Sequence, residues 1–339
     1  MIAVVKDTAT PEQLDHFVSW IHGKGLDAHV SKGYNATIVG LVGDTTQIDP
    51  YLIEGMDIIE RVQRVSEPFK KANRKFHPLD TVVDCGHGVK IGGGTFHVIA
   101  GPCSVEGENL ISIARQVKAA GATLLRGGAY KPRTSPYAYQ GMGEKGLDLL
   151  CEARDELDMP IVTEIMDPRD VDTFVSHGIE VWQIGARNAQ NFPLLKEVGK
   201  TKAAILLKRG ISGTIDELLM AAEYIMSEGN PNVIVCERGI RTFETHTRNT
   251  FDLSAVPVLH DLSHLPVCAD PSHATGHTRY VTPMALAATA AGADCLEIEV
   301  HDDPKHAWSD GAQALTPAQF KDAMTRIATV REAVTMEVE

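Results

Sequence analysis

No stretch of this 339-residue chain approaches the roughly 20 consecutive apolar residues that a helix needs to cross a bilayer. Met1-Ile2-Ala3-Val4-Val5-Lys6-Asp7 has no charged segment ahead of an apolar one, so it does not read as a secretory leader. Cys85, Cys103, Cys151, Cys236, Cys268 and Cys295 include no C-x-x-C pair. Disulfides are not expected in a large chain without an export signal, and the expected location is the reducing cytoplasm. Positive charge is scarce as well: 32 Lys and Arg face 45 Asp and Glu, a net charge of -13. Nucleic acid and anionic membrane surfaces are therefore not expected partners. Any cluster of cations stands against this trend.

What is present is ordinary for a globular protein, with 43% hydrophobic and 23% charged residues. The length suggests one large domain with an appendage, or two domains. The most distinctive stretch is Leu125-Arg126-Gly127-Gly128-Ala129-Tyr130-Lys131-Pro132-Arg133-Thr134-Ser135-Pro136. An apolar run ends at Arg126, and a loop stiffened by glycine and proline then carries Lys131 and Arg133 beside the hydroxyls of Thr134 and Ser135. Fixed cations and hydroxyls after a strand suit phosphate or carboxylate, although a solvated basic loop is the commoner fate of such residues.

Residues 1–66 read as a small α+β unit. Its expected elements are a strand at Ile2–Val5, a helix opened by Thr10 and Pro11, and strands over 28–31 and 37–42. A helical segment near 45–54 interrupted by Pro50 and a strand over 58–65 follow. This is the ferredoxin-like (ACT-like) order. Residues 67–96 read as a linker with a possible hairpin between 81–83 and 89–91. Over 97–339, strands expected near His97, Ala122, Pro160, Glu180, Ala203, Asn232, Pro266 and Asp294 alternate with helical patterns. About eight strands in roughly 240 residues is the rhythm of a (β/α)₈ TIM barrel. A doubly wound sheet would usually offer a glycine fingerprint at its first strand–helix turn. Gly141-Met142-Gly143-Glu144-Lys145-Gly146 matches such a fingerprint, but no strand directly precedes it, so dinucleotide binding is rejected.

A barrel's active site gathers the residues that follow the C-terminal ends of its strands. Those positions hold Gly101-Pro102-Cys103-Ser104, Arg126 to Thr134, Glu164, Gln183 to Asn188, Lys208-Arg209-Gly210, Glu237-Arg238-Gly239, Asp270-Pro271-Ser272-His273 and Glu297 to His301. Arg126, Lys131, Arg133, Arg187, Lys208 and Arg238 would meet at one mouth, which points to substrates bearing phosphate and carboxylate. Cys103, His273 and Glu299, with Asp310 shortly after the last strand, form a donor set suited to Mn²⁺, Fe²⁺ or Zn²⁺. Taken singly, each is more often an inert thiol, a loop histidine or a cap; the joint placement favours a metal. Pro271 and Gly276 imply a loop, which leaves His277 outside the set.

Gly101-Pro102-Cys103-Ser104-Val105-Glu106, Lys131-Pro132-Arg133-Thr134-Ser135-Pro136, Gln183 to Phe192, Lys208-Arg209-Gly210, Asp270-Pro271-Ser272-His273 and Glu299-Val300-His301 together resemble 3-deoxy-D-arabino-heptulosonate 7-phosphate (DAHP) synthases. The resemblance is to the type I-beta form with an N-terminal ferredoxin-like domain, and it covers essentially the whole chain. It implies condensation of phosphoenolpyruvate with erythrose 4-phosphate and water, the first step of the shikimate pathway. It further implies a divalent metal on Cys103, His273, Glu299 and Asp310. Phosphoenolpyruvate would be held by Arg126, Lys131, Ala186, Arg187, Lys208 and Arg238, and the sugar phosphate by Arg133 and Thr134. Lys131, Glu164 and His273 are the candidates for moving protons. An aromatic amino acid, tyrosine or phenylalanine, is the implied effector, with His29 and Ser31 as matching contacts, and a homo-oligomer (dimer or tetramer) is implied. His246 and the Gly276-His277-Thr278-Arg279 loop depart from the family pattern. Octulosonate 8-phosphate synthase, which takes arabinose 5-phosphate, and a non-catalytic amino-acid sensor are the alternatives.

Overall fold

The computed structural model describes every residue except 34, 35, 44, 46, 47, 64–67, 134 and 337–339. Thr134, expected at the sugar phosphate, lies outside the described residues. Contacts divide the chain into two units, Met1–Asp80 with Asp261–His264, and Thr81–His260 with Leu265–Glu339.

In the first unit the strands β1 (Ile2–Val5), β2 (Asp27–Lys32), β3 (Thr37–Val42) and β4 (Ile59–Gln63) form a sheet of order β2-β3-β1-β4. Helices α1 (Pro11–Gly23) and α2 (Pro50–Glu54) complete a ferredoxin-like fold. Alternation sends Ala3, Val5, Val39 and Leu41 toward Phe17, Ile21 and Ile53. Ile2, Val4 and Ile38 point the other way and are covered by Phe76, so both faces of the central strand are buried. A side chain at Gly40 would run into the Phe76 ring. Pro50 does not interrupt a helix but starts one. Asp49 caps it by accepting from Tyr51 N at 3.0 Å, and proline fits the first helical position because its missing N–H has no partner there.

The second unit opens with a hairpin, β5 (Val83–Asp84) and β6 (Lys90–Ile91). Eight parallel strands then alternate with helices: β7 (His97–Gly101), α3 (Asn109–Ala119), β8 (Leu124–Arg126), α4 (Glu144–Leu157), β9 (Ile161–Glu164), α5 (Val171–Ser176), β10 (Val181–Ile184), α6 (Phe192–Gly199) and β11 (Ala204–Lys208). The series continues through α7 (Ile215–Ser227), β12 (Val233–Glu237), α8 (Ala255–Leu262), β13 (Val267–Ala269), α9 (Pro271–Thr275), α10 (Thr278–Ala290), β14 (Cys295–Glu299) and α11 (Pro317–Thr335). Closure comes from β14 pairing with β7, where Cys295 lies opposite His97 and Glu299 opposite Gly101. Val83, Cys85 and Ile91 of the hairpin join Ile99, Leu124, Val162, Leu206, Ile234 and Cys268 in one buried core. All six cysteines are free thiols.

Two differences from the sequence reading bear on the site. Pro271–Thr275 is a short helix rather than a loop, because Asp270 caps it through His273 N at 2.9 Å and Pro271 takes its first position. Gly276 ends it at φ +72°, which leaves His277 beyond the turn that carries His273. Second, the sequence pattern predicts the next helix near 282–291, whereas α10 begins at Thr278 and contains Pro283.

Candidate active site

Strand periodicity builds the mouth. Interior residues recur every second position, so each core residue is followed two places on by a side chain pointing the same way. Leu124 leads to Arg126, Val162 to Glu164, Leu206 to Lys208, Cys236 to Arg238, Cys268 to Asp270, and Cys295 to Glu297 and then Glu299. The intervening Arg209 and Glu237 point outward and pair with each other at 2.8 Å, with Asp252 accepting from Arg209 at 2.9 Å.

The cations fall into two groups. Arg126 Nη1 donates to Glu299 Oε1 at 2.8 Å. Its Nε lies 2.8 Å from Glu297 Oε1 in a charge contact off the hydrogen-bond direction, leaving both atoms without a hydrogen bond. Lys208 Nζ donates to Asp270 Oδ2 at 2.5 Å and to Glu297 Oε2. Burial pulls the Lys208 pKa down, but Asp270 and Glu297 outweigh it and hold the ammonium well above its ordinary range. Arg187 and Arg238 are different: among the described residues they take no hydrogen bond or ion pair. Arg238 is only 7% exposed, and burial pulls its pKa below the ordinary guanidinium range. An uncompensated, largely buried guanidinium is costly, and an incoming anion removes that cost.

These side chains wall two connected parts of the mouth. One cavity of about 310 Å³ carries Lys131, Arg133, Arg187, Arg238, Glu164 and His273. A recess of about 50 Å³ is bounded by Gln183, Ala186, Arg187, Lys208, Arg238 and Asp270. Lys131 Nζ donates to Cys103 O and approaches Cys103 Sγ, each at 3.0 Å, which carries the basic loop over the first strand's end. Its pKa is pulled down by burial and raised overall by Cys103.

Cys103, His273, Glu299 and Asp310 bring one donor atom each within 4.8 Å of the others. Cys103 Sγ lies 3.2 Å from Asp310 Oδ2, and His273 Nε2 lies 3.1 Å from Glu299 Oε1. Thiol, imidazole and two carboxylates suit a borderline divalent ion, so the residues fit the metal that the sequence implied. His273 Nδ1 pairs with Asp270 Oδ2 at 2.7 Å, the carboxylate–histidine arrangement that fixes a ligand's ring. Against burial, Asp270 and Glu299 raise the His273 pKa well above the ordinary imidazole range. A metal at Nε2 must displace that proton, so affinity is expected to fall as pH drops and binding to release protons. Calorimetric titration in buffers of different ionisation enthalpy checks this; no net proton release would contradict it.

Glu164 is the other titrating group in the mouth. Its Oε1 is buried without a hydrogen bond, and Gly185 leaves it the room that any side chain there would take. Burial pushes its pKa above the usual carboxylate range despite Lys131, His273, Lys208 and Arg126 nearby. An acid with a raised folded pKa binds more protons folded than unfolded, so it removes stability as pH rises through that interval. Glu164→Gln is therefore expected to melt higher than the parent at about pH 8, with the gain vanishing near pH 4, while turnover falls about 10²–10⁴-fold. A variant that melts lower at alkaline pH would contradict this.

His29 and Ser31 lie in the first unit, on one face of the edge strand β2, with His29 exposed. Several neighbours of the site were not assigned roles from sequence: Asp270 and Glu297 beneath the cations, and Arg248 and Gln313 beside Asp310. The alternation Cys295, Glu297, Glu299 was a signal for Glu297; nothing local marked Arg248.

Fold and site together define a (β/α)₈ barrel enzyme whose mouth is built for oxyanionic substrates beside a divalent-metal donor set. The chain belongs to the DAHP synthase family: residues 69–335 match the DAHP synthetase I family, and residues 1–67 match the DAHP synthase ferredoxin-like domain. It is 47% identical over 339 residues, 100% of both chains, to a phospho-2-dehydro-3-deoxyheptonate aldolase of Thermotoga maritima. A crystal structure of that DAHP synthase superposes with TM-score 0.78 at 46% identity, covering 100% of this chain and 99% of the other. A truncated form of the Thermotoga synthase covers 80% of this chain and 99% of its own, with TM-score 0.73. A 2-dehydro-3-deoxyphosphooctonate aldolase of Koribacter versatilis is 31% identical, matching 73% of this chain and 95% of its own length.

Proposed function

We propose that this enzyme is a DAHP synthase that condenses phosphoenolpyruvate with erythrose 4-phosphate and water, releasing phosphate. The observation that carries this is the pairing, in one mouth, of the buried Arg238 and the exposed Arg187, neither in an ion pair among the described residues, with the Cys103/His273/Glu299/Asp310 donor set. Similarity to the Thermotoga aldolase over the full chain at 47% identity, against 31% over 73% of the chain for the octulosonate enzyme, supports erythrose 4-phosphate as the aldose.

Arg187, Arg238 and Lys208 bind phosphoenolpyruvate in the recess, with Ala186 beside them, and Lys131 of the adjoining cavity and the buried Arg126 complete its set of cations. Arg133 lines the cavity and binds the sugar phosphate, so the segment from Arg126 to Arg133 serves both substrates. Cys103, His273, Glu299 and Asp310 hold the divalent ion, which when bound supplies Lewis-acid polarisation of the aldehyde. The arginines and lysines offset repulsion between two anions and align C3 of phosphoenolpyruvate with the aldehyde carbon. Charge developing at C2 is captured by water, and phosphate leaves. Lys131, Glu164 and His273 move the protons in these steps; the raised pKa of Glu164 and the position of Lys131 Nζ beside Cys103 support the first two.

Offering phosphoenolpyruvate and Mn²⁺ with each aldose separately tests the assignment: phosphate release is expected with erythrose 4-phosphate. Turnover with arabinose 5-phosphate alone would make it an octulosonate synthase, and consumption of neither would leave the sensor reading.

The first unit acts in regulation. A homo-oligomer, dimer or tetramer, presents His29 and Ser31 on the exposed β2 edge to tyrosine or phenylalanine. Inhibition by one of these amino acids is expected, and it should disappear on deleting residues 1–66. An intact enzyme insensitive to both would overturn this.

A further inference from the structure

We propose that Arg248 and Gln313 form an outer coordination layer for the metal cluster, with one guanidinium positioning two of its four ligands. The inference rests on the metal reading above and assigns positioning residues that the motifs do not contain.

Arg248 Nη1 donates to Asp310 Oδ1 at 3.0 Å and to Gln313 Oε1 at 2.9 Å. Gln313, buried at 2% exposure, turns its Nε2 to Glu299 Oε2 at 2.6 Å. The amide can point its nitrogen at Glu299 only while its oxygen faces a donor, and Arg248 is that donor. The two oxygens of Asp310 are divided in the same way. Oδ2 faces Cys103 Sγ at 3.2 Å inside the cluster, whereas Oδ1 faces Arg248 outside it. The guanidinium therefore holds the oxygen that the cluster does not use and leaves the other free for an ion.

Arg248 is itself held in place. Its backbone N donates to Thr275 O at 3.0 Å, and Asn249 N to Ala274 O at 2.9 Å. Asn249 Nδ2 donates to the carbonyl of His273 at 2.9 Å, so the same segment braces the turn that carries a third ligand. A Cβ at Gly276, at φ +72°, would come within 2.5 Å of Arg248 Cβ. The bare backbone at Gly276 thus leaves room for the Arg248 side chain. Outer-layer partners of this kind typically tune metal affinity about 10–100-fold.

The test uses the full chain, Mn²⁺ or Co²⁺ as the probe, and competition with a chromophoric chelator. Arg248→Gln and Gln313→Leu are each expected to weaken Mn²⁺ binding about 10–100-fold, with the double variant losing less than the product because both act through Glu299. Arg248→Lys should recover part of the affinity, since an ammonium can reach Asp310. Metal-free melting temperatures should stay near the parent's, and the thiolate–Co²⁺ absorption of the variants should shift. A parent that binds neither ion would bring down the metal reading itself. A parent that binds, with variants of unchanged affinity and spectrum, would overturn the inference alone. Tighter binding in Arg248→Gln would also overturn it, by making Arg248 a competitor for Asp310.

Discussion

His273→Ala is expected to lose metal binding and to cut turnover about 10³-fold, because a Lewis-acid contribution of several kcal/mol disappears at about 1.4 kcal/mol per tenfold. His273 bridges the two halves of the site: its Nε2 lies 3.1 Å from Glu299 in the donor cluster, while Nδ1 lies 2.7 Å from Asp270 beneath the cations. Cys103→Ser should behave alike, since a hydroxyl is a poorer ligand than a thiolate and the Lys131 contact at Cys103 Sγ is altered too. Both variants should still fold, as the core cluster of the barrel contains neither residue. Rates measured with excess Mn²⁺ and after chelation check the prediction. Full activity in a chelator-treated His273→Ala protein would remove the metal from the account.

The second large effect is on stability. Glu297 is fully buried and, among the described residues, is the carboxylate that both Arg126 and Lys208 contact. Truncating one member of a buried charge network leaves its partners uncompensated, at a typical cost of about 3–5 kcal/mol. Glu297→Ala is expected to lose about that much in denaturant unfolding, and Glu297→Gln less, because its shape and one acceptor remain. Inorganic phosphate or phosphoenolpyruvate should restore part of the loss by supplying negative charge to the same cations. A cost below about 1 kcal/mol would mean that water already compensates Arg126 and Lys208.

Much of this barrel is legible locally. Strand starts expected near His97, Ala203 and Asp294 fall at His97, Ala204 and Cys295, because short apolar runs bounded by polar turns have few other uses. Helix starts were less so where proline was read as a breaker: Pro50 and Pro271 each open a helix behind an aspartate cap. Of the site, the strand-end residues were legible because a barrel gathers those positions. Arg248 and Gln313 were not, since both sit in irregular segments whose path is set by contacts such as Arg248 N to Thr275 O.

The sequence by itself determined which chemistries are available at the mouth and, through two-residue alternation, which side chains face inward: Lys208 but not Arg209, Arg238 but not Glu237. Tertiary structure alone decided the state of those charges. Arg126 meets Glu299 from 173 positions away and Lys208 meets Asp270 from 62, whereas Arg238 has no ion pair among the described residues. Ion pairing depends on distances across a closed barrel, and local periodicity carries no information about them.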